Sequence, residues 1–257
     1  MNDVPYLLWK TVLLRPYVFA FLTVYIVSAS LTIGMARALF YLPIGYGVAW
    51  CSEWFSTHYG FPYGYYRYIP STIDQELWVG GVPFMDSLSY VFLSYASYGM
   101  AKFLWKRRGD AAFNHLSSWR FTVLGAALVT LLDIIIDPVA LRGDKWFLGK
   151  IYEYPEGGFY FGVPLSNFIG WFVVGSGLIR ILQHIAGGFS PSHSRLKYGL
   201  ALAVALYAGV VLFNLAVTIY IKAWEILAAD ILILTAATAI LRRLFSYSSH
   251  IAISDRS

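Results

Sequence analysis

Charged residues and cysteine are both scarce in this chain of 257 residues. Only 13% of the residues are charged, whereas 58% are hydrophobic and 18% aromatic, which suits a lipid bilayer better than water. The single cysteine, Cys51, excludes an intramolecular disulfide and argues against a thiolate metal cluster. Because the net charge of +5 comes without a recognisable soluble basic face, we expect contact with membrane lipid and no binding of nucleic acid.

Several catalytic signatures are also missing. No two histidines lie three or four residues apart, which disfavours a histidine-rich di-iron desaturase or hydroxylase. No Gly-Xaa-Gly-Xaa-Xaa-Gly or phosphate-loop pattern precedes a helix, and no Gly-Xaa-Ser-Xaa-Gly elbow is present. Nucleotide cofactors and serine hydrolysis are therefore disfavoured. The five histidines are His58, His115, His184, His193 and His250.

Apolar segments of about 20 residues predict an all-α, polytopic transmembrane bundle with about seven spans, six to eight being open. We expect a single integral-membrane domain over residues 1–257, with an interfacial segment at 1–16, a polar tail at 244–257 and no cleavable signal peptide. The predicted spans are 17–36, 39–57, 82–104, 120–138, 160–181, 198–221 and 224–241.

Most of the 19 basic residues fall on one side of this topology. The positive-inside rule assigns that side to the cytoplasm, and it places the C-terminus there as well. Lys10 and Arg15 lie on the opposite side. The sequence thus predicts a multi-pass protein of the plasma membrane. The basic residues on the cytoplasmic side are Arg37, Lys102, Lys106, Arg107, Arg108, Arg120, Arg180, Arg195, Lys197, Arg242, Arg243 and Arg256.

Two carboxylates, Asp133 and Asp137, lie near the end of the fourth predicted span, just before Pro138. Residues four apart share one face of a helix, so the two side chains should point the same way. Carboxylates at membrane depth are costly and normally face a bundle interior or a wet cavity. A negative charge at a helix C-terminus also opposes the helix dipole. We therefore interpret this pair as the centre of a functional site.

The predicted topology brings other polar side chains to the same membrane level. Several carboxylates in a pocket of low dielectric repel one another, so at least one should stay protonated beside an ionised one, which makes an acid and base pair. The candidate catalytic residues are Glu53, Asp86, Asp133, Asp137 and Asn167. The candidate substrate-binding residues are Trp54, Tyr63, Tyr65, Tyr66, Arg67, Phe161 and Trp171.

A purely structural interpretation of these carboxylates remains open. Glu53 could pair with an arginine such as Arg67, and Asp133 could bond a neighbouring helix. Asp137 could simply end its helix. Asp86, just inside the third span, could be a helix cap.

A short internal echo links two of the predicted spans. Gly81-Val82-Pro83-Phe84-Met85-Asp86 and Gly162-Val163-Pro164-Leu165-Ser166-Asn167 share a Gly-Val-Pro-apolar start and carry Asp or Asn at the same offset. Both begin spans on the non-cytoplasmic side. If the echo reflects a duplicated unit, the two polar side chains could face each other across a central cavity.

Four stretches carry a resemblance to a known family: Phe61-Pro62-Tyr63-Gly64-Tyr65-Tyr66-Arg67-Tyr68, Gly81-Val82-Pro83, Asp133-Xaa-Xaa-Xaa-Asp137-Pro138-Val139-Ala140, and Gly157 to Trp171. With them the chain resembles the carotenoid biosynthesis membrane proteins that include carotenoid 1,2-hydratases and bisanhydrobacterioruberin hydratases. The resemblance implies addition of water to the terminal double bond of an acyclic carotenoid, without a redox cofactor or metal. Asp86-Ser87 stands where an apolar continuation is expected, so the branch within the family is not fixed.

The chemistry of hydration fits the residues. Protonating a trisubstituted alkene produces a tertiary carbocation, which needs a desolvated acid, aromatic faces and a positioned water with a base. Asp137 or Asp133 is the candidate acid, the other carboxylate the base, and Asn167 the residue that orients water. The expected partners are a lipophilic carotenoid and membrane lipid, and a homo-oligomer is left open.

Two other functions stay open. Asp-Xaa-Xaa-Xaa-Asp near a membrane surface can hold magnesium against a diphosphate, as in an intramembrane prenyl transferase. Such enzymes usually carry two aspartate motifs, and this chain has one. A transporter or pigment-binding protein could instead use the carboxylates to relay protons or to bind a cation.

Overall fold

The computed structural model describes residues 3–106 and 118–246, and these form an all-α structure, as predicted. The α-helices, in chain order, are α1 (Val4–Leu14), α2 (Pro16–Thr32), α3 (Met35–Tyr59), α4 (Phe84–Lys106), α5 (Trp119–Ala140), α6 (Leu165–Ala186), α7 (His193–Tyr220) and α8 (Trp224–Ser246). Arg107, Arg108, His115, His250, Arg256 and the predicted tail from residue 247 onward lie outside the described residues.

Two pairs of very short antiparallel strands tie the long loops together. Strand β1 (Arg67–Tyr68) pairs with β4 (Tyr152–Glu153), which joins the loop after α3 to the loop after α5. Strand β2 (Trp78–Val79) pairs with β3 (Val82–Pro83) immediately before α4. The two loops therefore lie together at one end of the bundle.

In the part of the chain that the structure describes, four helices, α5 to α8, are long and apolar enough to cross a membrane, and the bent pair α1 and α2 could add a fifth span. The predicted number of seven spans is not confirmed. Helices α3 and α4 have the length of a span, with 25 and 23 residues, but inward-facing polar side chains such as Glu53 and Asp86 lower their hydropathy.

The predicted bounds of the first span differ from the structure. The apolar run at 17–36 is interrupted between α2 and α3, because α2 ends at Thr32 and α3 begins at Met35. The predicted interfacial segment at 1–16 contains α1, which meets α2 at an angle of 92°. Pro16 is the first residue of α2, where its missing N–H leaves no hydrogen bond unmade.

Helix α4 is the centre of the bundle. It packs against α2, α3, α5, α6 and α7, and most of its side chains are buried, including polar ones such as Ser94 and Ser97. Helix α8 contacts α7 and α5 and leaves a broad apolar face uncovered, with Leu232 71% exposed. An apolar face of this kind suits contact with lipid.

A buried ion pair fastens the bend between α1 and α2 to both loops. Arg15 is fully buried and donates two hydrogen bonds to Glu76, of 3.1 and 2.9 Å. It also donates to the backbone carbonyl of Leu148, at 2.7 Å. The Thr72 hydroxyl donates to Glu76 as well, at 2.5 Å. These contacts hold the loops over the ends of the helices.

Candidate active site

A cavity of about 150 Å³ lies among the helices on the side of the two loops. All five candidate catalytic residues line it, although they come from four different helices: Glu53, Asp86, Asp133, Asp137 and Asn167. Of the candidate substrate-binding residues, Tyr63, Tyr66 and Trp171 line it too. The sequence thus predicted which polar side chains meet, and their catalytic roles stay predictions.

The amide of Asn167 joins the two carboxylates of α5. Its Nδ2 atom donates to Asp133 Oδ2 at 2.8 Å and to Asp137 Oδ2 at 2.9 Å. The two aspartates share a face of α5 because they are one turn apart, and both are buried, at 1% and 8% exposure. We call this unit the bridged pair. Its amide fixes the spacing of the two acid groups.

Helix α5 continues through Pro138 to Ala140. Asp137 therefore does not end its helix, and that part of the structural interpretation is wrong. Pro138 has no N–H to donate to the carbonyl of Ile134, four residues earlier, so the helix loses that backbone hydrogen bond and still continues to Ala140.

Two loop tyrosines complete the environment of Asp137. The Tyr152 hydroxyl donates to Oδ1 at 2.5 Å, and the Tyr154 hydroxyl donates to Oδ2 at 3.3 Å. Burial, followed by the negative charge of Asp137, raises the pKa of both phenols well above the usual value, so both remain donors near neutral pH. The sequence analysis did not name these two tyrosines. Their alternate positions were a usable signal, because side chains two residues apart share one side of an extended segment.

Asp133 has a different environment. Its Oδ2 atom accepts from Asn167, but Oδ1 is buried and has no hydrogen-bond partner within the described residues. Asp137, in contrast, accepts from three donors. The bridged pair is therefore chemically asymmetric, with hydrogen-bond donors concentrated on one of its two carboxylates.

A second pair of carboxylates lies across the cavity. Glu53 on α3 is buried and accepts a hydrogen bond from the Ser87 hydroxyl. Asp86, in the first turn of α4 but past its N-cap position, lies near Glu53, and the Tyr68 phenol is close to both. The alternative in which Glu53 pairs with Arg67 is wrong.

Arg67 instead binds Glu153 on the paired strand β4, at 2.5 Å and in an exposed position. Lys150 also binds this glutamate, at 2.6 Å. The hydrogen bonds from Lys150 and Arg67 hold the pKa of Glu153 below its usual range. Arg67 is thereby occupied on the outer surface of the loops and does not enter the cavity.

Aromatic rings form much of the cavity wall. Tyr90 and Trp171 stack with centroids 4.2 Å apart, and Tyr63 lies 5.9 Å from Trp171. Tyr66 meets Tyr152 edge to face at 5.9 Å. The negative faces of such rings can stabilise a positive charge. Tyr90 was missed because nothing in its local sequence separates it from the other tyrosines of α4.

Four of the predicted substrate-binding residues do not line the cavity. Tyr65, which is 53% exposed, and Arg67 point outward, whereas Tyr66 between them lines the cavity. The three directions differ because successive side chains alternate along an extended segment. Trp54 follows Glu53 on α3 and stacks on His58 at 4.1 Å. The remaining residue, Phe161, packs under the Arg142 guanidinium at 5.9 Å.

The internal echo has a geometric counterpart. Gly81 and Gly162 both have positive φ angles, +82° and +97°, in a region that L side chains rarely adopt. Each turns the chain shortly before a helix, and the polar residue at the matching offset, Asp86 or Asn167, lines the cavity. Both side chains thus line one cavity, while the duplication of a unit stays a prediction.

The donor set at the bridged pair does not favour a cation. Between the two carboxylates stands the Nδ2 group of Asn167, whose hydrogens point at the oxygens that a shared metal ion would need. Within residues 3–106 and 118–246, no group of three or more His, Cys, Asp or Glu side chains could hold a metal ion.

Comparison with known proteins shows to which family this chain belongs. The model of the carotenoid biosynthesis protein family matches residues 12–237. The chain belongs to this family. Its family and its apolar helices identify it as a membrane protein.

The chain is similar to the bisanhydrobacterioruberin hydratase of Haloarcula japonica. It is 30% identical over 118 residues, which is 46% of this chain and 35% of the relative. The match thus spans about a third of that curated protein's length. No solved structure matches this chain.

Proposed function

We propose that this carotenoid biosynthesis protein adds water to the terminal carbon–carbon double bond of an acyclic carotenoid. The observation that carries the proposal is the bridged pair, two buried carboxylates joined by one amide in an aromatic-lined cavity. Family membership and the hydratase name of the relative support the substrate class and the reaction.

Asp133 is the general acid in this proposal. A buried carboxyl oxygen without a partner costs less when it carries a proton than when it carries charge, and Asp133 Oδ1 is such an atom. Asp137 is the base, because its three donors favour the ionised form that can accept a proton from water.

The proposed reaction balances as follows. Asp133 gives its proton to the less substituted alkene carbon, and the π electrons form the new C–H bond, leaving a tertiary cation. A water oxygen attacks the cation while Asp137 removes one water proton, which yields a tertiary alcohol. The proton then returns from Asp137 to Asp133 through water in the cavity. The net change is the addition of one water molecule.

The walls of the cavity suit this path. The stacked Tyr90 and Trp171, with Tyr63 beside them, present aromatic faces to a cation close to the bridged pair. A volume of about 150 Å³ is far more than one water molecule needs, so the cavity has room for the branched end of a polyene beside a water.

The membrane arrangement is also a proposal. We propose seven spans in the plasma membrane, one each from the α1–α2 pair and α3 to α8, with a cytoplasmic C-terminus. Basic residues at the described ends of α4 and α8, such as Lys106 and Arg243, support this orientation. A reporter that works only in the cytoplasm should be active when it is fused to the C-terminus. Activity of a C-terminal reporter that works only outside the cytoplasm would contradict this orientation.

The test of the reaction is conversion in a host that accumulates an acyclic carotenoid. Mass analysis should show the gain of one water per reacting end with the wild-type chain and none with Asp137→Asn. The exposed Asp144, changed to Asn, is the matched control and should leave conversion intact. A product enlarged by an isoprenoid unit, or activity abolished by a magnesium chelator, would indicate a prenyl transferase. Unchanged pigment would point to transport or pigment binding.

A further inference from the structure

A long apolar groove runs along the outside of the bundle, between α3 and α6. It has a volume of about 470 Å³ and is lined by one face of α3, from Pro43 to Phe55. Several lining residues are exposed, such as Phe55 at 49% and Val173 at 51%. We call this feature the outer groove. Its lining residues outside α3 are Phe61, Pro62, Val173 and Val174.

The outer groove is elongated and nearly free of polar groups. Its α3 residues recur every three or four positions, so they form one stripe along the helix. From Pro43 to Phe55 the helix rises about 18 Å, at about 1.5 Å per residue. Apart from Cys51 and Ser52, the described residues that line the groove carry no polar side-chain atom. Gly47 leaves the middle open, because a Cβ there would meet nothing within 4 Å. This shape suits an elongated apolar molecule.

The outer groove adjoins the cavity of the bridged pair. At three places, close neighbours in the chain line the two spaces, the first of each pair facing the groove and the second the cavity: Ser52 and Glu53, Pro62 and Tyr63, and Val173 and Trp171. The two spaces therefore share a wall, and α3, α6 and the loop after α3 all contribute to it.

The Tyr63 side chain closes this wall. Ser52 donates its hydroxyl hydrogen to the Ala49 carbonyl at 2.8 Å. Since a serine hydroxyl has one hydrogen, the bond of 2.9 Å between Ser52 and Tyr63 is donated by the Tyr63 phenol. Tyr63 thus contacts the groove wall with its hydroxyl, while its ring lies 5.9 Å from Trp171 in the cavity. A chain that reached the cavity from the groove would pass at this phenol.

We propose that the outer groove binds the extended polyene of the carotenoid, and that the reacting end passes Tyr63 into the cavity. This inference rests on the proposed function, which places one end of the carotenoid at the bridged pair. Because an acyclic carotenoid is a long chain, most of it lies beyond the reacting end. The outer groove adjoins the cavity and has a matching shape and polarity.

A polyene suits the outer groove better than the acyl chain of a lipid. Both are apolar, so leaving the bilayer brings neither of them a hydrophobic gain, and packing decides between them. A conjugated chain is stiff and is already extended before it binds. It therefore loses less conformational freedom in a straight groove than a flexible acyl chain does.

Cys51 is the single cysteine of the chain, and it is exposed in the outer groove. Alkylation by N-ethylmaleimide, followed by mass spectrometry of the full chain in lipid nanodiscs, therefore reports on the groove alone. Lycopene serves as the acyclic carotenoid. At a concentration about ten times its Kd, lycopene should slow the alkylation of Cys51 about tenfold.

The control for this measurement moves the thiol away from the groove. In a Cys51→Ser, Leu232→Cys chain the cysteine lies on the exposed face of α8, and lycopene should not change its alkylation rate. Equal rates at Cys51 with and without lycopene would overturn the proposal. Equal protection by lycopane, the flexible saturated chain with the same carbon skeleton, would assign the outer groove to lipid acyl chains instead.

Gly47→Leu fills the middle of the outer groove and tests its part in the reaction. The leucine meets no neighbour at its Cβ and favours the helix more than glycine does, so the fold should survive. The groove contacts the polyene before and during the reaction alike, so KM should rise about tenfold while kcat stays unchanged. Ala236→Leu, which adds the same side chain to the exposed face of α8, should change neither. An unchanged KM in Gly47→Leu, or a loss in kcat alone, would contradict the proposal.

The two proposals fail in different ways. Hydration of lycopene by a wild-type chain whose Cys51 stays unprotected would refute the groove and leave the proposed function standing. Protection of Cys51 without any hydrated product would leave the outer groove standing as a polyene site and refute the proposed function.

Discussion

The two loop tyrosines offer a graded test of the bridged pair. Tyr152→Phe and Tyr154→Phe remove the same atom from neighbouring positions that contact the same carboxylate, Asp137. The bond from Tyr152 measures 2.5 Å and that from Tyr154 measures 3.3 Å. A charge-assisted hydrogen bond strengthens as it shortens, so the two substitutions should differ in effect.

The expected magnitudes follow from these distances. A hydrogen bond to a charged group contributes about 1.5–3 kcal/mol, so losing the Tyr152 bond should slow hydration by about 10- to 150-fold. The longer Tyr154 bond should be worth about 0.5–1 kcal/mol, which corresponds to a loss of about two- to fivefold. Both rings keep their aromatic packing, so the fold should survive.

The assay measures the initial rate at which the purified chain in lipid forms hydrated carotenoid, at a saturating concentration of substrate. Melting temperatures of the two variants, measured in parallel, show whether a rate loss comes from unfolding. A Tyr152→Phe variant as fast as the wild type, or a larger loss in Tyr154→Phe, would refute the reasoning that Asp137 is held by these donors for the reaction.

Three further substitutions probe the site and its support. Asn167→Leu removes both bonds of the bridged pair and should lower the hydration rate by more than about a hundredfold, measured by product formation. Gly170→Ala puts a Cβ 2.6 Å from Cδ1 of Tyr63 and should lower the melting temperature and the rate, whereas Gly177→Ala, with open space, should not. Arg15→Met leaves a buried carboxylate unpaired and should cost about 3–5 kcal/mol of unfolding free energy, measured in denaturant.

Matched controls separate these effects from general damage. Ile169→Ala lies on the exposed face of α6 and should leave the rate near that of the wild type, in contrast to Asn167→Leu. Arg67→Met breaks an exposed ion pair, so its stability should change little, in contrast to Arg15→Met. An Asn167→Leu variant with wild-type activity, or an Arg15→Met variant as stable as Arg67→Met, would contradict these assignments.

Local sequence patterns were enough to predict the helices and the meeting of the polar groups. The spacing of Asp133 and Asp137 fixes a shared helix face whatever the tertiary structure is. The matching offsets of Asp86 and Asn167 placed both at the start of helices on one side of the membrane. Because the predicted spans alternate in direction, we expected these groups at a similar depth, and they line one cavity.

The parts that were missed depend on contacts between distant loops. Tyr152 and Tyr154 reach Asp137 because β4 pairs with β1. Their alternate spacing indicates that they share one side of the segment, but it does not indicate which residue that side contacts. The ion pair of Arg15 with Glu76 joins residues 61 apart. Hydrophobic periodicity carries no information about such contacts. It therefore did not predict that Arg67 binds Glu153 on the outer surface or that Glu53 accepts a hydrogen bond from Ser87.

The role of the bridged pair is tested most directly by hydration of an acyclic carotenoid in ¹⁸O-labelled water by the wild-type chain and by Asp133→Asn and Asp137→Asn. We expect a tertiary alcohol carrying ¹⁸O from the wild type, and loss of nearly all product from both variants while their melting temperatures stay close to that of the wild type. Labelled product formed at the wild-type rate by either folded variant would contradict that role.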